Sequence, residues 1–393
     1  MTDSFRTLLQ VILLWIAGLG AATQFAKIAI PFADVGLLYP DNADAIGWML
    51  SIISLTGVFL GAMSGAIVGQ VGPSKLLMSG LVLGGAISLF QATVPGFHLM
   101  LASRIIEGLS HLAIAVAAPT LIAQITQGKA RNMAMVLWST FFGVAFALNA
   151  WFGIPFVSRF GLPSFFALHG VLMLVIAASV FLFPARVEGE ASGESNWSFA
   201  SFIEANIRSY RSPFISAPAI GWLFYTLTFV SLLAILPGRL PEDVSASVAG
   251  FMPLAGIIMS WAFVPLLLNF MSCIAVVNLG FGLGILAIVS LYFGAPLAFA
   301  CVALFAVLGL VQGGSFAAVP ELNASVEDQA LSYGAMAQTG NAGNLLGTPV
   351  LLAILWRTSD VGMFATVIGF YGIAIAFNIW LGRQRRIANA KLA

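Results

Sequence analysis

Apolar stretches of membrane-spanning length occupy nearly the whole chain. They fall at about residues 7–30, 45–69, 75–95, 99–126, 133–158 and 165–184, then at about 213–237, 246–268, 270–293, 296–319, 331–356 and 361–382. A helix needs about 20 mainly apolar residues to cross the hydrocarbon core, and each stretch supplies them. Too little polar sequence remains to build a water-facing surface: 8% of residues are charged, against roughly 25% in ordinary soluble domains. The bilayer must be the solvent, and there the backbone has to satisfy its own hydrogen bonds within helices. The predicted fold is an all-α membrane protein with twelve transmembrane helices. The first stretch has only Arg6 ahead of it and no small-residue cleavage site, so it is read as the first helix rather than a removed signal peptide.

Cations orient such a chain, because Lys and Arg favour cytoplasmic loops. With the N-terminus inside, the inner segments hold Arg6, Lys75, Lys129, Arg131, Arg186, Arg208, Arg211, Arg383, Arg385, Arg386 and Lys391, against Arg159, Arg239 and Arg357 outside. Both termini are therefore expected in the cytoplasm, with the protein multi-pass in the cell's inner membrane. The few cations are dispersed, which argues against a nucleic-acid partner. Cys273 and Cys301 lie within apolar stretches and read as small packing residues.

The expected domains are a six-helix bundle over residues 1–185, a cytoplasmic linker over 186–212 and a second six-helix bundle over 213–393. The linker begins with a flexible Gly/Glu/Ser run from Glu188 to Ser195, and its second part spaces Trp197, Phe199, Phe202, Ile203, Ile207 and Tyr210 among polar residues. That pattern suits a helix in the membrane interface or a plain loop. The halves are weakly alike. Glu107-Gly108-Leu109-Ser110 in the fourth stretch is matched by Gln312-Gly313-Gly314-Ser315 in the tenth, and Gly153-Ile154-Pro155 in the fifth by Gly347-Thr348-Pro349 in the eleventh. Two matches in equivalent stretches favour a duplicated unit, an arrangement that places transport sites at the repeat interface.

Ionisable side chains inside the membrane are expensive and mark candidate sites. Arg104, Glu107 and His111 are spaced i, i+3 and i+7, so one helical face carries a cation, a carboxylate and an imidazole. Glu107, and with less weight His111, are the candidate proton-coupling groups; the alternative for Arg104 and Glu107 is a static ion pair, and for His111 a hydrogen-bonded packing residue. Lys27 has two readings. It snorkels outward or pairs with Asp34, or it faces a cavity beside Arg104, leaving two cations near one carboxylate and a positive potential for an anionic substrate. Gln312, Gln338, Asn341, Trp222 and Tyr225 are candidate cavity residues, with interhelical glue and lipid-facing aromatic packing as their alternatives. Gly65, Gly72, Gly108, Gly153, Pro155, Gly347 and Pro349 are candidate gating or packing positions. No nucleophile–base set, metal motif or phosphate loop is present in the sequence, so neither an enzyme nor an ATP-driven pump is expected, and no cofactor or metal.

Arg104-x-x-Glu107-Gly108 followed by Pro119, the run Gln338-Thr339-Gly340-Asn341-Ala342-Gly343-Asn344-Leu345-Leu346-Gly347-Thr348-Pro349, and twelve spans split six and six resemble the major facilitator superfamily over essentially the full length. The resemblance implies alternating access of two six-helix pseudo-repeats about a central site lined by helices 1, 4, 7 and 10, with Arg104 and Glu107 in substrate binding or proton coupling. Two departures matter. Gly69 stands where the loop between helices 2 and 3 usually has Asp, and only Lys75 is basic there. The fifth stretch also lacks the GPxxGG pattern of proton-driven drug exporters. The expected function is a secondary, proton-coupled transporter of a small organic, possibly anionic, solute, acting as a monomer. The alternatives are a proton-driven exporter of lipophilic or cationic compounds, and a non-transporting membrane sensor or assembly factor.

Overall fold

A computed structural model describes residues 3–63, 68, 70–185 and 199–390, which are overwhelmingly helical and include no strand. The chain divides into two compact units, Met1–Trp197 and Ser198–Ala393. The first holds α1 (Asp3–Ala29), α2 (Pro40–Leu60), α3 (Pro73–Gln91), α4 (Phe97–Ile125), α5 (residues 128–160) and α6 (residues 161–182). The second holds an amphipathic helix (Phe199–Arg211), then α7 (Ser216–Ile235), α8 (Glu242–Leu267), α9 (Cys273–Val289), α10 (Leu297–Leu322), α11 (Val326–Arg357) and α12 (Asp360–Ala390). The expected segment 186–198 of the linker, and Gly65 and Gly69, lie outside the described residues.

Ten helices among the described residues are apolar and long enough to cross a membrane, and twelve spans are consistent with that number. Residues Phe141–Leu182 run on as helix without a break and count as one span, but Gly161 (φ 80°) turns the chain between α5 and α6. Only glycine takes that conformation without cost, and Pro163 then sits in the first turn of α6, where its missing N–H is harmless. The other uncounted span is α11, whose Gln, Asn and Thr residues dilute its hydropathy.

Two of the threonines bond to α7. Thr339 donates to the Ala219 carbonyl at 3.0 Å and Thr348 to Ser231 at 3.1 Å, both on α7. A Cβ at Gly343 or Gly347 would collide with the Leu223 or Leu227 carbonyl of α7, so the two backbones are nearly in contact. Small residues and short hydrogen bonds are how helices associate when lipid removes the hydrophobic driving force. α7 is deeply enclosed, with every residue from Phe224 to Ile235 buried.

α2 departs from the continuous helix expected over 45–69. It is two short α-helices, Gly47–Ser51 and Leu55–Leu60, joined by a 3₁₀ turn at Ile52–Ser54. The cause lies on α4: Gly108 leaves no room for a Cβ beneath the Ile53 carbonyl, and Arg104 Nε donates to the Met49 carbonyl at 2.9 Å. α4 thus occupies peptide groups of the segment where α2 loses its regular ladder, a known cause of helix distortion. Gly72 (φ 84°) turns the chain into α3. α5 carries a π turn at Asn149–Gly153, two residues before Pro155, and both features are causes of helix kinks.

The internal repeat has a packing basis. Gly108 lets α4 touch α2, and Gly313 lets α10 touch α8 at Ser260 and Val264. Ser110 lies beside Gln24 of α1 at 2.7 Å, while Ser315 lies under Gly221 of α7. The Glu107–Ser110 and Gln312–Ser315 segments therefore make equivalent helix pairings in the two units. The second match does not behave this way: Gly153 faces Phe165 of α6, whereas Gly347 faces α7.

Candidate functional site

The sequence placed Lys27 on the first span and Arg104 and Glu107 on the fourth; the fold brings all three together, each with 0% of its surface exposed. Alanines at 17, 21, 22 and 26 of α1 are also fully enclosed, and their small side chains bring α1 close to its neighbours. Lys27 Nζ donates to Glu107 Oε1 at 2.6 Å. Arg104, one turn before Glu107 on α4, pairs with Glu107 Oε2 through Nη1. The snorkelling and Asp34-pairing readings of Lys27 are thereby replaced. Its ammonium has been drawn inward because an enclosed carboxylate and two polar side chains of α3 offer it a full coordination shell.

Those α3 partners are Ser88, which accepts from Lys27 at 2.6 Å, and Gln91, whose Oε1 accepts at 2.7 Å. Gln91 turns its amide nitrogen to Glu107 Oε2 at 2.9 Å and Ser103 Oγ at 3.0 Å. His169 of α6 closes the cluster. Its Nε2 lies 3.0 Å from the Gly20 carbonyl, which can only accept, so Nε2 carries the hydrogen and Nδ1 is the acceptor. Nδ1 faces Ser88 Oγ at 2.8 Å and Lys27 Nζ at 3.5 Å. Helices α1, α3, α4 and α6 each contribute a side chain.

Two cations therefore share one carboxylate, and with His169 neutral the formal charge of the cluster is +1. A buried ion pair is tolerated only when its remaining donors and acceptors are satisfied. Here they nearly are. Among the described residues, the buried polar atoms without a hydrogen-bond partner include Arg104 Nη2 and Gln24 Oε1. Arg104 Nη1 donates to the Gln24 carbonyl at 2.8 Å, so both orphans lie at this end of the cluster. A free guanidinium donor beside an excess positive charge is suited to an anionic oxygen.

His111 is separate from this network. Its Nδ1 donates to the Ala21 carbonyl at 3.0 Å and its ring meets Phe25 edge-on, although it lies on α4 two turns from Arg104. Sequence reasoning missed Ser88, Gln91 and His169. Each is a polar residue within an apolar span, which was the available signal, but helical phase alone does not say which of them face Lys27.

In the second unit, Trp222 stacks on Tyr225 with ring centroids 4.8 Å apart and meets Phe316 edge-on at 5.0 Å. Tyr225 also stacks on Phe229 and donates its hydroxyl to Gln312 at 3.3 Å. Trp222, Tyr225 and Gln312 thus form one aromatic group with a polar edge. Gln338 and Asn341 have other hydrogen-bond partners. Gln338 accepts from the Tyr210 hydroxyl of the amphipathic helix at 2.9 Å, and Asn341 donates to the Ala337 carbonyl of its own helix. Arg208 of the amphipathic helix also pairs with Glu327 and Asp328 at the start of α11, at 2.5 and 2.6 Å.

Residues 11–348 match the family described as Major Facilitator Superfamily. The chain belongs to the major facilitator superfamily. Superfamily membership makes it a secondary transporter of small molecules across a membrane, and not an enzyme. No curated sequence matches the chain significantly. Among solved structures it is similar to a bacterial homologue of the human lysosomal transporter Spinster, captured inward-facing and unoccupied, with TM-score 0.71, 14% identity and 97% of each chain covered. At that identity the likeness concerns the fold alone.

Proposed function

We propose that this superfamily member moves a small organic anion across the cell's inner membrane by alternating access, coupled to protons. Residues 1–185 and 213–393 would be its two working domains, with both termini cytoplasmic and a monomer as the functional unit. The observation that carries the reading is the ionic cluster, in which Lys27 and Arg104 share Glu107 and Arg104 keeps one donor free. A substrate carboxylate or phosphate competes with Glu107 for those cations. Protonating Glu107 removes its charge, weakens both ion pairs and releases two cations for the substrate, so proton uptake and anion binding reinforce each other. Glu107 is the proton carrier in this scheme, and His111, tied to Ala21, contributes packing.

Reconstituted transporter tests the scheme in two steps. Glu107→Gln should abolish accumulation driven by a pH gradient while sparing substrate exchange; loss of both, or of neither, removes Glu107 from coupling. A thermal-shift screen of detergent-solubilised protein against organic anions, neutral solutes and lipophilic cations should show concentration-dependent stabilisation by an anion. That stabilisation should vanish in Arg104→Ala.

A second reading, export of lipophilic cations, is favoured by the Trp222, Tyr225, Phe229 and Phe316 rings, because aromatic faces attract desolvated cations. Stabilisation by lipophilic cations that is indifferent to Arg104→Ala but lost in Trp222→Ala would put it first.

A further inference from the structure

We propose that a groove at one end of the first unit binds an anionic phospholipid, one acyl chain in the groove and its phosphate at Lys75. The groove lies where the starts of α1 and α3 meet the ends of α4 and α6, and encloses about 630 Å³. That volume is in the range of small-molecule sites, roughly 300–1,000 Å³. Leu13, Met78, Val82, Phe181 and Phe183 supply apolar wall. Gln10 directs one amide N–H to the Pro184 carbonyl at 2.6 Å and Ser79 its hydroxyl to the Leu76 carbonyl at 2.9 Å, so the few polar side chains of the wall are engaged with backbone and the rest of the wall is apolar.

Charge is confined to the mouth. Lys75 is exposed there, Ser74 stands beside it in the first turn of α3, and no carboxylate lines the groove among the described residues. Val82 lies seven residues further along α3 and is 46% exposed, so the groove runs about 10 Å along the helix from the cation. That is about a third of the hydrocarbon thickness. A free anion would use only the mouth and leave the apolar wall unexplained. A peptide segment would bring backbone polar groups that this wall cannot satisfy. A lipid matches both parts, and the positive-inside count puts this end of the unit at the cytoplasmic leaflet, where anionic lipids concentrate.

Native mass spectrometry of the full-length protein in neutral detergent tests the site, with equimolar phosphatidylglycerol and phosphatidylcholine of identical chains. Phosphatidylglycerol should bind in preference by roughly fivefold, the factor expected when one basic residue meets a net anionic headgroup rather than a phosphate neutralised by choline. Lys75→Gln should bring the ratio close to one while keeping lipid bound. Ser79→Trp, which fills the groove from an exposed position, should reduce binding of both lipids. A preference unchanged by Lys75→Gln overturns the proposal. So does unaltered lipid binding in a folded Ser79→Trp, or competition by chainless glycerol phosphate as strong as by phosphatidylglycerol. Should the tryptophan variant fail to fold, the Lys75→Gln ratio and the glycerol phosphate competition decide.

Discussion

Glu107 is held between two cations with no exposed surface, and its removal has an energetic signature. Truncating one partner of a buried ionic network leaves the others uncompensated and costs about 3–5 kcal/mol. Glu107→Ala is therefore expected to lower the unfolding free energy by about that amount, since Lys27 and Arg104 would then face each other alone. Lys27→Met should cost less, because Arg104 still neutralises Glu107. The double variant Lys27→Met/Glu107→Ala should be more stable than Glu107→Ala, a non-additivity that a double-mutant cycle in detergent reads directly. Strictly additive losses would mean that the two side chains do not share the network. The cations and the carboxylate were legible in the sequence, because charge in an apolar span stands out whatever its orientation. Ser88, Gln91 and His169 were not, since a lone serine or histidine on α3 or α6 becomes significant only when four helices converge on it.

Helices were legible by length and apolarity, but their interruptions were not. Hydropathy reports what solvates a segment and is blind to the dihedral angles within it, so the 3₁₀ turn at Ile52–Ser54 left no mark, whereas the chain reversal at Gly161 falls in the gap between the stretches at 133–158 and 165–184. The glycines that impose such geometry have measurable roles. At Gly347 a Cβ would meet the Leu227 carbonyl of α7, a backbone atom that cannot rotate away. Gly347→Val should therefore reach or exceed the upper end of the roughly 1–3 kcal/mol seen for overpacked cores, read as a lower unfolding midpoint and reduced folded yield. Gly282 of α9 has nothing within 4 Å of a built Cβ. Gly282→Ala should instead leave the midpoint unchanged or raise it slightly through better helix propensity, worth up to about 1 kcal/mol. Equal effects of the two substitutions would refute the close α7–α11 approach.

At the scale of the whole molecule, the pairing of Glu107–Ser110 with Gln312–Ser315 was readable as a repeat, and the fold shows why. The shared small residues make equivalent helix contacts in the two units, whereas the buried charged triad is found, among the described residues, in the first. The two units thus share helix contacts but differ in side chains, an ionic cluster in the first and an aromatic group in the second. The proposed topology, with both termini inside, rests on the asymmetry of the loops, eleven cations against three, through the positive-inside rule. Single cysteines at exposed Asn389 and Thr93, in a background of Cys273→Ala and Cys301→Ala, check it with a membrane-impermeant thiol reagent. Asn389→Cys should react only in inside-out vesicles and Thr93→Cys only in right-side-out ones, because an odd number of spans separates the two positions. The reverse pattern would invert the protein and move Lys75 and its groove to the outer leaflet. Reaction of both sites from one side would instead require an even number of crossings between α3 and α12, incompatible with the twelve-helix arrangement.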